Sequence, residues 1–300
     1  MPANGTIIME IATVKTTLIN TALLTLCFVS CSLSAGVIER DTVKRSLKFG
    51  SASGSHRVLV DNVNGSINVV GYDGSDVELV ACRKINAESD DRMEQAKREV
   101  TLDIREESDR ILIYVDAPWR RNNGSVNYRG WDHYGYDVAY DFELRVPVKT
   151  DFILKTVNSG DIDVRNMTGA FEVRNVNGDV EMKEVAGSGK VSTVNGDVTV
   201  SFTKNPSEES SFKTVNGVVD VEFPEPVSAS LRLKTMNGEV YTDFPVKHVP
   251  RKAAVSEKRN GRKIYRSGDS FVVEAGGGGP ELSFDTLNGD IYLSLKGEKQ

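Results

Sequence analysis

A short word built on an Asn-Gly turn recurs seven times in this chain, and nothing else in the sequence restricts the fold as much. The copies are DNVNGSINV from Asp61, KTVNSGDIDV from Lys155, RNVNGDVEM from Arg174, STVNGDVTV from Ser192, KTVNGVVDV from Lys213, KTMNGEVYT from Lys234 and DTLNGDIYL from Asp285. Their turn asparagines are Asn64, Asn158, Asn177, Asn195, Asn216, Asn237 and Asn288. The five from Asn158 to Asn237 stand 19, 18, 21 and 21 residues apart, and a fixed period of that size marks a repeat architecture.

Each column of the word has its own chemistry. Four residues before the Asn every copy is apolar (Val60, Leu154, Val173, Val191, Phe212, Leu233, Phe284), and two before it every copy has Thr or Asn. One before it the column is apolar again: Val63, Val157, Val176, Val194, Val215, Met236 and Leu287. After the Gly, alternation such as Val198-Thr199-Val200 predicts a half-buried strand. A two-residue hairpin at Asn195-Gly196 would push Val194 into water, whereas a bend just before the Asn would turn it inward. Thr and Asn columns make most sense when copies stack directly, about 4.8 Å apart, and hydrogen-bond along a ladder. The predicted fold is therefore all-β: a β-solenoid of parallel coils, with Val194 and the Thr column facing inward. The alternative is an antiparallel β-meander or sandwich.

The rest of the chain fits three regions. Residues 1–36 contain TTLINTALLTLCFVSCSLSAG after Lys15, an apolar stretch with a small-residue exit that reads as an export signal. Cleavage after Ala35 or Gly36 would leave Cys82 as the one cysteine, expected to be a buried small hydrophobe. A second reading makes FVSC a lipoprotein box with Cys31 lipidated, and membrane contact is expected only in that case. Residues 37–150 read as strands with one short helix, capped by Ser89 with acidic residues in its first turn, and as a section that closes the first coil. Residues 151–300 carry the regular coils and a basic insertion at 247–266.

The repeat words, the early VDNVNGSINVVGYDG, YDFELRVPVKTDFILKTVNSGDI and the late GGGGPELSFDTLNGDIYLSL together resemble the bacterial "putative adhesin" β-strand-repeat family of unknown function. The resemblance spans roughly residues 55–295. It implies a single-stranded, right-handed β-helix in the cell envelope, and it brings no catalytic residues.

Signals for chemistry are sparse. His56, His133 and His248 are widely separated, without a second His at ligand spacing. AGSGKVST lacks the first Gly of a phosphate loop and has Val191 where Ser or Thr is required, so it reads as a coil turn. The acidic column Asp161, Asp179, Asp197, Glu239 and Asp290 could attract Ca²⁺, but Ser66 and Val218 interrupt it and it reads as solvated turn charge. No cofactor or metal site is expected. A net charge of −6, from 43 acidic and 37 basic residues, argues against a nucleic-acid partner.

Two irregular segments are candidate contact surfaces. One holds Trp119, Arg120, Arg121, Tyr128, Trp131, Tyr134 and Tyr136, where aromatic faces beside Arg donors suit a sugar ring or a protein partner. The other, 247–266, carries eight Lys/Arg and one Glu and suits an anionic surface of lipid headgroups or envelope glycans. The function read from the sequence is a non-enzymatic, exported envelope solenoid, in the periplasm, on the outer-membrane surface or outside the cell. It would act as a structural or adhesive surface toward an envelope glycan or protein. The rivals are a polysaccharide-cleaving β-helix enzyme and an envelope regulator or assembly factor that binds a protein partner.

Overall fold

A computed structural model describes residues 36–50, 54–120, 134–249, 256–259, 262–265 and 270–297. The chain divides after Ser34, and the expected export signal with Cys31 lies outside the described residues. Ala35–Gln300 form one unit built on two long sheets. Every coil contributes one strand ahead of its Asn-Gly corner and one behind it, so one sheet collects the leading strands and the other the trailing strands. Strands of three to six residues suffice, because alternation along each buries every second side chain between the sheets.

From Asp151 to Phe223 the coils stack in sequence order and parallel, in register except for one shift between Met182 and Val185. Val173 stands between Leu154 and Val191 in the leading sheet, and Val198 between Val180 and Val219 in the trailing one. Stacking like on like makes a core of short ladders, including Phe152 on Phe171 at 6.0 Å, Phe202 on Phe223 at 5.8 Å and Phe212 on Phe284 at 5.2 Å.

Sequence order fails at both ends. The C-terminal coil, Glu281–Asp285 and Ile291–Leu295, is inserted between Ser210–Lys213/Val219–Phe223 and Ala229–Lys234/Val240–Thr242. The chain must therefore rise past one vacant level after Phe223 and later drop back to fill it. The glycine run makes that descent. Gly276, at φ +58, would put a Cβ 2.6 Å from the Val227 carbonyl oxygen, and Gly279 one at the same distance from that of Ser228. At the other end the first repeat, Arg57–Asp61 and Ile67–Tyr72, lies between Asp151–Lys155/Ile162–Arg165 and an outer coil of Arg110–Asp116 and Tyr136–Pro147. Antiparallel strands finish this end: Val37–Leu47 and Val77–Ala87 beyond Tyr136–Pro147, and Thr101–Glu106 beyond Arg110–Asp116.

The helix is Asp90–Glu99; the Ser89 side chain accepts from the Arg92 N–H at 3.3 Å, and Met93 and Ala96 turn inward. Cys82 corrects the sequence expectation. It is exposed, on the outer face of the terminal antiparallel strands, with its sulfur 3.7 Å from the Thr42 hydroxyl.

Candidate functional site

The corner is the element that repeats, and three hydrogen-bond ladders hold it. On the inside, Thr193 is 4% exposed and donates its hydroxyl to the Gly178 carbonyl of the neighbouring coil at 2.8 Å. Thr156, Thr214, Thr286 and Thr235 make the same bond to Gly65, Gly196, Gly217 and Gly289, and Asn175 replaces the hydroxyl with an amide toward Gly160. On the outside, each turn amide donates to the carbonyl oxygen of the next: Asn177 to Asn158, Asn195 to Asn177, Asn216 to Asn195, Asn288 to Asn216 and Asn237 to Asn288, at 2.7–3.0 Å. Asn64 ends this row, donating to Asp137 and to the Val138 carbonyl.

The acidic column forms the third ladder. Asp161 accepts the Asp179 backbone N–H, Asp179 that of Asp197 and Asp197 that of Val218, all at 2.7–2.8 Å; Asp290 accepts that of Glu239. These carboxylates cap backbone donors of the adjacent coil, a role the sequence reading missed when it took them for solvated charge. Among the described residues no group of three or more His, Cys, Asp or Glu is placed to hold a metal ion.

With the Thr column inside, the residue that follows it must face out. Val194 is 38% exposed, so its predicted inward orientation is wrong. Simple alternation runs on through the corner, Val191 in, Ser192 out, Thr193 in, Val194 out, because the glycine carbonyl inside needs a hydroxyl donor that valine lacks. The outward apolar residues stack on one another as a ridge. Val63 is buried, Val157 and Val176 are half-buried, and exposure rises through Val215 and Leu287 to 65% at Met236. Beside the ridge runs a groove of about 260 Å³, lined by Val215, Met236 and Leu287 with Lys213, Lys234 and Asp285.

Two exposed tyrosines mark the same end of the trailing sheet. Tyr241 and Tyr292 stack at 4.9 Å with 7° between their planes. Their hydroxyls donate to Glu239 at 2.7 Å and Asp290 at 3.1 Å. The Glu239 bond and the surrounding carboxylates push the Tyr241 hydroxyl up to about 12. In the middle of the same face, burial and the neighbouring Glu222 raise the Asp220 carboxyl above its ordinary range.

The aromatic segment is divided. Trp119 and Tyr136 are buried in the core, with Tyr134 packed between them at 5.5 and 5.6 Å. Arg120, its side chain 2% exposed, donates to the Asp61 carboxylate at 2.8 Å and the Asp61 carbonyl at 2.9 Å, and lies 4.2 Å over the Tyr114 ring. These residues tie the outer coil to the first repeat; Trp119, Arg120 and Tyr136 are buried in doing so, while Tyr134 stays half-exposed. Arg121, Tyr128 and Trp131 lie outside the described residues, as does His133. His56 stacks on Phe49 at 4.2 Å. Only the first part of AGSGKVST is a turn, where the Ser188 hydroxyl accepts the N–H groups of Ser207 and Glu208; Gly189–Ser192 is a strand of the leading sheet. Of the basic insertion, Ser256–Arg259 and Arg262–Tyr265 form a separate antiparallel ribbon.

Solved structures similar to this chain include three from bacteria. One is a "putative cell adhesion protein" from Clostridium sporogenes, 10% identical, with TM-score 0.41, covering 86% of this chain and 100% of its own. Another is a "putative adhesin" from Bacteroides fragilis, 11% identical, with TM-score 0.37, covering 85% and 97%. A third is a "putative lipid binding protein" from Parabacteroides distasonis, 9% identical, with TM-score 0.26, covering 84% and 96%. No curated protein matches the chain in sequence. Residues 151–272 match the family described as Toastrack DUF4097.

Proposed function

We propose that the protein is a non-enzymatic, exported envelope solenoid that works as an adhesive or structural surface. Its contacts would be made chiefly by the outward ridge and the lysines beside it. One observation carries this reading: the corner's Thr, Asn and Asp columns are engaged between coils, so the repeated groups left facing outward are Val194, Val215, Leu287 and Met236 with Lys213 and Lys234. An apolar row flanked by cations suits an anionic envelope glycan or an amphipathic protein face. Export rests on the apolar stretch after Lys15.

The full chain and a Val194→Ser/Val215→Ser/Leu287→Ser variant, exposed to isolated envelope polysaccharide and to envelope protein fractions, provide the test. Retention that falls at least tenfold in the variant supports the ridge; equal retention rejects it. Release of soluble sugar by the wild type would favour the polysaccharide-cleaving rival. N-terminal sequencing of chain recovered from the envelope checks export: a start near Gly36 or a lipid-modified Cys31 agrees, and an intact leader does not.

A further inference from the structure

The two sheets stop at different heights at the C-terminal end of the stack. Among the described residues the trailing sheet ends on Val240–Thr242, whereas the leading sheet runs two strands beyond the same level, with Phe271–Ala275 and then Val246–His248. With strands about 4.8 Å apart, the trailing sheet carries a step two strands deep beside that overhang. Within the last strand, the Glu239 carbonyl accepts from Ile291 and the Asp243 N–H donates to Leu293. Val240 and Thr242, between them, therefore turn their backbone groups out over the step.

The corner at this level is also open. In lower coils the turn amide oxygen, the glycine carbonyl and the acidic side chain each receive a donor from the next coil. At Asn237, Gly238 and Glu239 the same three acceptors are exposed, and no described residue supplies the coil donors. The opposite end of the stack is closed, since Asn64 and Ser66 bond to the outer coil through Val138 and Asp141. The outer face of Tyr241, 44% exposed, continues the tyrosine stack into the step, and Glu239, Asp243 and Asp290 make the rim acidic.

The geometry points to this step as a docking site for an extended, lysine-rich strand of a partner protein, added to Val240–Thr242 as a further strand of the trailing sheet. Unpaired edges recruit strands in this way. The occupant is a single strand or ribbon, because a second copy meeting edge to edge would need the room taken by the overhang. It would also bring another Glu239 and Asp243 to an acidic rim. This site is separate from the ridge, and either reading can fail alone.

Fluorescence anisotropy of a labelled KVTVKVTVK peptide with the full chain tests it, alongside the same peptide N-methylated at alternate residues and an EVTVEVTVE peptide. Binding of the lysine peptide is expected, with at least tenfold loss for the methylated and glutamate forms. Thr242→Pro removes one outward N–H, and with it the hydroxyl bonded to Phe244, and is expected to cost at least tenfold in affinity where Thr242→Val, which loses only the hydroxyl, does not. If the proline variant melts the last coil, the methylated peptide reads the same bond from the other side. Equal binding of the methylated form would reduce the effect to charge and overturn the proposal, as would no binding at all. Binding seen only after deletion of residues 250–269 would assign the step to the chain's own ribbon, and would overturn it as well.

Discussion

Exchanging the roles of two adjacent residues tests the corner directly. Thr193 is buried and donates to the Gly178 carbonyl at 2.8 Å, while Val194 next to it is 38% exposed. Thr193→Val keeps the shape but leaves that carbonyl buried without its donor, a loss of about 1–3 kcal/mol. The added methyl returns part of it, so the net cost is about 1–2 kcal/mol. Val194→Asp places a charge on a partly wet surface, at a cost below about 1 kcal/mol. In a chain of this size about 1 kcal/mol moves the melting temperature by roughly 2–4 °C. Thermal and urea unfolding followed by circular dichroism should therefore rank Thr193→Val as clearly more damaging than Val194→Asp. Thr193→Ser, which keeps the hydroxyl, should fall between Thr193→Val and wild type. If Val194→Asp proves the more damaging of the two, the corner has been oriented the wrong way round.

Three further outcomes follow from the same structure. Gly196→Ala should cost about 2–4 kcal/mol in urea unfolding, because at φ +149 its Cβ would stand 2.3 Å from the Gly178 carbonyl oxygen. Arg120→Met should destabilise by about 2–4 kcal/mol by stranding Asp61, and a change within measurement error would show the pair to be dispensable. Asp220 has its folded pKa raised by burial and by Glu222, so the folded state holds that proton more tightly than the unfolded chain. Its contribution to stability declines as pH rises above the ordinary carboxylate range near about 4. Asp220→Asn should accordingly be more stable than wild type at neutral pH, with the difference shrinking in acid; a pH-independent difference would reject the linkage.

The period, the parallel stacking and the inward Thr column were legible because every copy repeats the same chemistry at the same place. The orientation of Val194 was not. An apolar side chain repeated in stacked coils shelters its own neighbours, so the column can face out without each member being fully wet. The order of the coils was hidden for a related reason: Phe212, Leu233 and Phe284 are interchangeable at their position, and nothing local tells Phe284 to settle between the other two. The purpose of the four glycines at 276–279 shows only once Val227 and Ser228 are seen beside them. Trp119 and Arg120 illustrate the opposite failure, since aromatic and guanidinium groups that compose a binding face in one setting compose a buried clamp in another.

The out-of-order coil also sets a timetable. The coils from Asp151 to Phe223 can each settle on a level already synthesised. The next level must wait for Glu281–Leu295, and at about 5–20 residues per second that delay is on the order of several seconds. Through that interval the strands Ser210–Lys213 and Val219–Phe223 hold an uncovered edge, while Ala229–Thr242 have been synthesised but have no place to rest. The nascent protein is most vulnerable to misassociation there, and whatever escorts it in the cell has most reason to act on that segment.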